Sequence, residues 1–253
     1  MFLSERSFAS ISLADLDAAA ALQERIDRKY VLPVHRLPEV VADLPEDARI
    51  LEIDSSREFA YVSLYLDTPE LTAYYLACRR RRRRFKVRRR LYVDSGQAWL
   101  EVKTRTSRGV TMKQRTSDGG GPGPLNTDER SFVAAVLQQE GLSLIDPVSL
   151  VPVLRTAYRR TTFHLPGNHA RMTVDVNLTV SNATAALRWD GLAIVETKTG
   201  SHPTQVDRLL WRRGIRPTRI SKYGAGLAAL DPDLPDQKWH RTLTHDIPVA
   251  LAR

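Results

Sequence analysis

The sequence predicts an antiparallel α+β fold, an eight-stranded β-barrel with flanking helices. Three observations predict it. Short segments in which polar and apolar residues alternate recur along the chain, and this is the period of a β-strand. Turns at 94–96 and 108–109 give several of these segments hairpin-like spacing. Helical segments fall between only some of the strands, so the pattern is not the regular strand-helix-strand alternation of a parallel sheet.

The length and charge limit the domain organisation and the class of partner. The 253 residues, 42% of them hydrophobic, can bury one sizeable core, so we expect one domain over 1–253 with a barrel core at about 25–226. Residues from about 231 to 253 are expected to form a C-terminal tail. The formal net charge of +9 favours a polyanionic partner: nucleic acid, a nucleotide, polyphosphate or an anionic membrane surface.

The cysteine count and the hydropathy of the chain indicate the cellular compartment in which we expect the protein. Cys78 is the single cysteine, so it has no internal disulfide partner, and a reducing compartment is expected. The stretch 1–22 contains charged residues within its apolar segments and therefore lacks the uninterrupted apolar core of a secretory signal. No window reaches the length of a membrane span. These features predict a cytoplasmic protein without a membrane span.

The sequence pattern predicts helices and strands with the following bounds. Residues 12–23 predict a helix, with Ser12 as its N-cap and a run of alanines, and 25–32 alternate as the first strand. A short helix is predicted at 34–44 after Pro33, a residue favoured at helix starts. The remaining strands are predicted at 61–67, 85–93, 98–105, 110–115, 156–164, 171–178 and 192–199, and the remaining helices at 69–78, 127–140 and 203–213. The loop 117–126 is rich in glycine, but no GK[ST] follows it, which excludes a P-loop.

The polar faces of these strands are unusual because they are repeatedly cationic. Alternate residues of a barrel strand point inward, and the charged sets on single faces are Lys86, Arg88 and Arg90; Glu101, Lys103 and Arg105; Lys113 and Arg115; Tyr158 and Arg160; Arg171, Thr173 and Asp175; Glu196 and Lys198. For any one strand, a solvated polar face is the simpler interpretation. Recurrence on six or seven strands instead predicts an enclosed basic lining, which requires a compensating anion such as a triphosphate or polyphosphate. Interspersed carboxylates can hold a divalent metal that bridges phosphoryl groups.

An ordered set of motifs resembles the catalytic domains of the vacuolar transporter chaperone (VTC) family, which belong to the triphosphate tunnel metalloenzyme (CYTH-like) superfamily. The motifs are Asp27-Arg28-Lys29-Tyr30, Ser63-Leu64-Tyr65-Leu66-Asp67, Lys86-Val87-Arg88-Arg89-Arg90, Leu100-Glu101-Val102-Lys103-Thr104, Tyr158-Arg159-Arg160-Thr161, Arg171-Met172-Thr173-Val174-Asp175, Val195-Glu196-Thr197-Lys198 and Ser221-Lys222-Tyr223. The resemblance runs from about residue 25 to residue 226. The ordered set is far more specific than any single motif.

The resemblance implies a tunnel of eight antiparallel strands in which the γ-phosphate of ATP is transferred to a growing polyphosphate chain. By motif, the implied catalytic residues are Lys29, Arg88, Arg90, Lys103, Arg160, Lys198 and Lys222. The substrate-binding residues expected beside them are Lys86, Lys113, Arg115, Tyr158, Arg171 and Ser221. Glu196 would hold Mn²⁺ or Mg²⁺, with Glu101 as a second candidate. ATP and inorganic polyphosphate are the implied partners, and export of a product would need a separate membrane protein.

One departure from the superfamily pattern concerns the first strand. Many tunnel enzymes begin with Glu-x-Glu-x-Lys, whereas this chain has Arg25-Ile26-Asp27-Arg28-Lys29, so the first acidic position is basic. This change favours the polymerase branch over a two-metal triphosphatase. It leaves two interpretations of Asp27 open, a metal ligand or a salt-bridge partner.

Other functions remain as alternatives. The same lining suits a tunnel triphosphatase that hydrolyses nucleoside triphosphate or tripolyphosphate, or a non-catalytic polyphosphate-binding protein. The basic run 79–84 is interpreted equally well as a solvated surface and as a funnel for polyanions. Nucleic-acid binding through this run is a further alternative, but the four tryptophans are scattered rather than clustered into a stacking platform. The preferred metal, the oligomeric state and regulatory partners are left open by the sequence.

Overall fold

The computed structural model describes residues 7–19, 26–106, 109–119, 121–200 and 202–247. The fold is mixed α+β, as predicted. Its strands are β1 (Ala9–Ile11), β2 (Ile26–Pro33), β3 (Arg49–Leu51), β4 (Phe59–Asp67), β5 (Arg84–Tyr92), β6 (Gln97–Arg105), β7 (Thr111–Ser117), β8 (Val151–Leu165), β9 (Ala170–Ser181), β10 (Ala186–Trp189) and β11 (Leu192–Thr199). Its α-helices are α1 (Leu13–Ala19), α2 (Leu37–Ala42), α3 (Thr72–Cys78), α4 (Thr127–Gln139), α5 (Gln205–Arg212) and α6 (Lys222–Leu230).

The eight predicted strands are all present and form one continuous path in the order β2-β11-β9-β8-β4-β5-β6-β7. Every neighbouring pair along this path is antiparallel. The predicted closure into a barrel is not seen, because no strand pairing among the described residues joins β2 to β7. Three short strands were not predicted: β10 pairs with β9, and β3 pairs with β1 and β8.

The outer face of the curved sheet is apolar and is covered by helices. Tyr30 and Leu32 of β2 pack in one cluster with residues of α2 and α5. Val87 and Leu100 pack with residues of α4 in another. Because successive side chains of a strand alternate between faces, burying the apolar positions under these helices directs the charged positions to the inner face.

The helix α6 lies against part of the inner face, and the sequence did not predict it. Its glycines allow close approach: a Cβ at Gly226 would lie 3.1 Å from Leu154 of β8 and 3.2 Å from Val180 of β9. Ser221 caps the helix, since its Oγ accepts a hydrogen bond from the Gly224 N–H at 3.2 Å. The helix therefore fills the apolar part of the inner face and places its N-terminus beside the polar part.

A β-bulge in β9 makes this division possible. The register with β8 shifts between Ala157 and Arg159, and Asn177 on β9 has a φ of 54°, a left-handed conformation that asparagine tolerates. Before the bulge, Thr173 and Asp175 share the inner face; after it, Leu178 and Val180 do, and both pack in the cluster that contains α6. One strand thus presents polar and then apolar side chains to the same side of the sheet.

The remaining helix predictions differ from the structure mainly at their ends. The predicted helix 12–23 corresponds to α1, and Ser12, the residue before it, accepts a hydrogen bond at Oγ from the Asp15 N–H at 3.1 Å; residues 20–25 lie outside the described part of the chain. The predicted helix 34–44 is a 3-10 turn at Val34–Arg36 followed by α2. The expected tail contains a short π-helix, Thr242–Asp246, and a buried Trp239, and its last residues, 248–253, lie outside the description.

No helix of the described ranges is both long enough and apolar enough to cross a membrane.

Candidate active site

The strand register places most of the predicted site residues next to one another on the inner face. Opposite one another across neighbouring strands are Lys29 and Glu196, Lys198 and Arg171, Arg160 and Asp175, Arg88 and Glu101, Lys86 and Lys103, Lys103 and Lys113, and Glu101 and Arg115. Cations outnumber carboxylates in this set. The inner face is therefore a basic lining to which every strand of the eight-strand path except β4 contributes a cation.

Glu101 is a buried carboxylate held by cations of two neighbouring strands. Arg88 donates to its Oε2 from Nε at 2.7 Å and from Nη2 at 2.5 Å, and Lys113 Nζ donates to Oε1 at 3.2 Å. Burial alone would raise the pKa of Glu101, but Arg88, Arg90 and Lys113 outweigh burial and lower the pKa to about 2. Glu101 is thus ionised and fully engaged near neutral pH.

Asp175 forms a second cluster that joins β9, β8 and α6. Arg160 binds it through two hydrogen bonds, 2.6 Å from Nε and 2.8 Å from Nη2, and Lys222 at the start of α6 donates to the same carboxylate. Burial disfavours the ionised form, but Arg160 and Lys222 outweigh it and lower the pKa of Asp175. This residue was missing from the predicted site, although its position two residues after Thr173 on the same strand face could have indicated it.

Glu196 is the third carboxylate of the lining. Its oxygens lie 3.0 Å from Lys198 Nζ and 3.7 Å from Lys29 Nζ. Burial raises the pKa of Glu196, and the two lysines lower it more strongly, so that it lies well below its ordinary value. The attraction of Glu196 correspondingly raises the pKa of Lys29.

The N-terminus of α6 is fixed to the sheet by hydrogen bonds on several sides. Lys86 Nζ donates to Ser221 Oγ at 2.7 Å, and the hydroxyl of Tyr223 donates to Asp67. Asp67 is fully buried and also accepts from the N–H groups of Ala73 and Tyr74 at the start of α3. These bonds set the position of Lys222, because the residues on both sides of it are anchored.

Several inner cations have no carboxylate of their own. Lys103 forms no ion pair with a described residue, and partial loss of hydration between the neighbouring strands, followed by repulsion from Lys29, lowers its pKa to about 8 although the residue is exposed at the surface of the lining. Burial and the neighbouring lysines also lower the pKa of Lys86 well below its ordinary value. Cations that are crowded and desolvated in this way lower the stability of the ligand-free protein and favour a bound anion.

Aromatic rings adjoin the arginines of the lining. The rings of Tyr61 and Tyr158 stack with their centroids 5.4 Å apart, and the guanidinium of Arg160 lies 5.2 Å from the first and 5.3 Å from the second. The Tyr158 hydroxyl and Thr173 Oγ1 are buried, and each lacks a hydrogen-bond partner among the described residues. Such groups normally have partners, so they are available to donate to a ligand oxygen.

Some predicted residues lie at the periphery of the lining. Arg171 donates to the Leu16 carbonyl at 3.2 Å and to Asp17 Oδ1 at 3.0 Å, both on α1. Arg115 is exposed on β7 and lies over the ring of Trp99, 4.4 Å from its centroid. The roles predicted for these two residues remain predictions.

The arginines next to the site residues in sequence serve the other face of the sheet. Arg89 is buried against Glu129 of α4, to which it donates at 2.8 and 2.9 Å, and it also pairs with Asp118. Arg159 binds Glu58 at 2.8 Å. The motifs therefore combine site residues and structural residues in strict alternation.

The donor chemistry of the lining suits a hard divalent cation only in combination with phosphate. Among the described residues, no group of three or more His, Cys, Asp or Glu side chains is placed to hold a metal. Both glutamates are paired with cations, but Glu101 accepts three hydrogen bonds from Arg88 and Lys113 and its side chain is 2% exposed. Glu196 is paired with two lysines and is 12% exposed, so Glu196 is the better placed carboxylate. Mg²⁺ and related ions are commonly bound by one or two carboxylates together with substrate phosphates, so Glu196 fits such a site.

One solved structure agrees with this fold, and a second is less similar to the chain. HpAC1 from Hippeastrum, described as a candidate adenylyl cyclase with a dominant triphosphatase activity, is 15% identical with a TM-score of 0.50, and the match covers 85% of this chain and 99% of that chain. A candidate adenylate cyclase from Bacillus halodurans is 11% identical with a TM-score of 0.48, covering 79% of this chain and 94% of that one. Likeness at this level of identity concerns the fold alone.

Comparison of the sequence with models of protein families identifies the family of this chain. No curated protein matched the chain. The model of the VTC domain family matches residues 24–231, a range that contains all eight strands of the main path, α6 and every predicted site residue. The chain therefore belongs to the VTC domain family, as its motifs predicted.

Proposed function

We propose that this protein is a metal-dependent polyphosphate polymerase that transfers the γ-phosphate of ATP to a growing inorganic polyphosphate chain. Membership of the VTC domain family supports an enzyme that handles triphosphates in a tunnel-type fold. The observation that carries the proposal is the inner lining, in which cations from every strand of the eight-strand path except β4 surround three carboxylates that are already neutralised. Only a polyanion would compensate the remaining charge.

The cations of the lining would bind and orient two phosphate groups for reaction. An oxygen of the terminal phosphate of the chain attacks the γ-phosphorus of ATP. The bond from that phosphorus to the β–γ bridging oxygen breaks, and ADP leaves with the oxygen. Positioning and charge neutralisation are the main requirements of this step, and Arg88, Arg160, Lys198 and Lys222 supply both. Mn²⁺ or Mg²⁺, held by Glu196 together with phosphate oxygens, would neutralise further charge on the transferred group.

The low pKa values of the carboxylates favour transfer to phosphate over transfer to water. A water nucleophile must lose a proton, and an effective general base has a pKa near the working pH. Glu101, with a pKa of about 2, and Asp175 and Glu196, whose pKa values are also lowered, are poor bases. A terminal phosphate, with a second pKa of about 6, is already an oxyanion near neutral pH and needs no base.

The test is incubation of the full chain with ATP and Mn²⁺, with and without a short polyphosphate primer, with ADP, free phosphate and chains measured separately. We expect chains to form with one ADP released for each phosphate added. Arg160→Gln should lower this rate by about 100-fold or more, because it removes a charged donor that points into the lining. Arg159→Gln is the matched control: the neighbouring residue has the same charge but binds Glu58 on the other face, so its rate should stay near that of the wild type.

Each other outcome identifies an alternative. Free phosphate without chains would contradict the polymerase proposal in favour of a tunnel triphosphatase. Tight polyphosphate binding without turnover would identify a binding protein. Nucleic-acid affinity that survives Arg160→Gln and is lost when the run 79–84 is neutralised would place the function outside the lining altogether. Glu196→Gln should raise the metal concentration needed for half-maximal activity, and an unchanged metal requirement would exclude Glu196 as its ligand.

A further inference from the structure

A cavity of about 340 Å³ opens beside the polar part of the lining. Asp27 and Lys29 of edge strand β2 line one side, and residues of β5, β6 and β7 line the other. Residues 218–221 and 238–239 complete the wall. Lys29 also contacts Glu196, so the cavity is continuous with the site already described and forms one of its mouths.

Lys238 reaches this mouth from the segment that follows α6, beyond the residues 24–231 that match the family model. The segment is firmly attached. Tyr74 donates to the Pro235 carbonyl at 2.9 Å, and the Cys78 thiol lies 2.9 Å from the same oxygen. Trp239 is buried against α6, and Lys238 Nζ lies 5.5 Å from the centroid of its ring. The ammonium group is therefore held at the mouth by anchored neighbours on both sides.

The charge of the mouth is almost entirely positive. Its cationic lining residues are Lys29, Arg84, Lys86, Lys103, Arg105, Arg219 and Lys238, whereas Asp27 is the single carboxylate that lines it among the described residues. Lys238 forms no ion pair with a described residue. Burial, followed by repulsion from Arg84, Arg105 and Arg80, lowers its pKa to about 8. Arg84, the last residue of the basic run 79–84, lines this mouth, which favours the funnel interpretation of that run.

We propose that Lys238 binds inorganic polyphosphate where the chain leaves the lining, as part of a second phosphate-binding subsite at this mouth. The inference rests on the proposed function, since it assumes that a phosphate chain occupies the lining. The inner cations around Glu196 and Asp175 bind the reacting phosphates, and Lys238 contacts phosphates further along the chain. A short ligand such as tripolyphosphate fills the inner sites without depending on Lys238, whereas a long chain contacts both.

The test compares the affinities of tripolyphosphate and long-chain polyphosphate by calorimetry in the absence of ATP. Lys238→Gln should weaken binding of the long chain by about tenfold, as expected for loss of one charged contact, and change tripolyphosphate binding by less than about twofold. Lys238→Arg should restore the long-chain affinity. Arg208→Gln, which removes the same charge from an exposed position on α5, should leave both affinities unchanged.

Equal weakening of both ligands, or of neither, would overturn the proposal. Arg84→Gln probes the same mouth from β5 and keeps the test decisive if Lys238→Gln lowers stability. The binding measurement involves no turnover and so separates the two proposals. Length-selective loss in a protein that makes no polyphosphate would refute the polymerase and retain the subsite, and polymerase activity without length selectivity would refute the subsite alone.

Discussion

Replacing Asp175 by Asn should destabilise the ligand-free protein strongly and increase its response to phosphate ligands. The Asp175 side chain is 1% exposed, and its partners Arg160 and Lys222 are 13% and 15% exposed. Removing one charge from a buried pair leaves an uncompensated buried ion and costs about 3–5 kcal/mol. In a domain of this size, that loss corresponds to a fall in Tm of about 6–20 °C. A bound phosphate chain replaces the missing negative charge, so the variant should recover more stability from the ligand than the wild type does.

Thermal unfolding with and without tripolyphosphate tests this prediction. A ligand concentration of about 100 times the wild-type Kd should add about 2.7 kcal/mol to the stability of the wild type, and more to that of Asp175→Asn, because the variant is expected to bind the ligand more tightly. Glu58→Gln is the matched control, because it breaks the more exposed pair with Arg159, in which the two side chains are 25% and 44% exposed, and should cost at most about 1 kcal/mol. An Asp175→Asn protein with a Tm within about 2 °C of the wild type, or with no larger response to the ligand, would refute the reasoning.

Three further predictions concern acid stability, alkaline binding and packing. The lowered pKa of Glu101 contributes about 3 kcal/mol to the free energy of unfolding, and this contribution is present above about pH 4.5 and lost as the pH falls towards 2. Glu101→Gln should therefore flatten the pH dependence of stability, measured by urea unfolding, in that range. An unchanged slope would contradict this prediction. Because the pKa of Lys103 is about 8, the residue loses its positive charge between about pH 7 and 9, and tripolyphosphate affinity measured by calorimetry should fall over that range. Lys103→Arg, which keeps the charge, should reduce that fall. An identical pH profile in the variant would count against this prediction. A Cβ at Gly224 would overlap the ring of Trp239, so Gly224→Ala should lower the free energy of unfolding, measured with urea, by about 1–3 kcal/mol. Adding Trp239→Leu to this variant should recover part of that loss. A fully stable Gly224→Ala protein would show that the packing of the tail against α6 does not stabilise the helix.

Much of the fold was predictable because the strands carry a strict two-residue alternation. The charged faces of β5, β6 and β11 are where the sequence pattern indicated, since the apolar positions between them are buried under helices. The lack of a β2–β7 pairing among the described residues could not be predicted. Whether two edge strands pair depends on the curvature of the whole sheet, and the sequence of neither strand specifies that curvature.

The site was less predictable where it depends on contacts between distant segments. Asp175 had a sequence signal, its position on the polar face of β9, but its partner Lys222 comes from α6, a helix with two glycines and too short a pattern to predict. Lys238 had no signal, because it follows the last patterned segment and reaches the mouth only through the packing of Trp239 and the hydrogen bonds to Pro235. Tertiary packing of this kind is not encoded in local periodicity.

The bulge at Asn177 makes the backbone conformation of one residue a determinant of the chemistry. If Asn177 joined the regular alternation of β9, Leu178 and Val180 would turn to the outside of the sheet, and α6 would face the polar side chains of Thr179 and Ser181. The helix would lose its packing surface, and Lys222 would move away from Asp175 although neither residue had changed. A β-branched residue at position 177, which disfavours a positive φ, is therefore more damaging than most substitutions within this strand. Family members with an active lining should keep a residue that tolerates the left-handed conformation at this point.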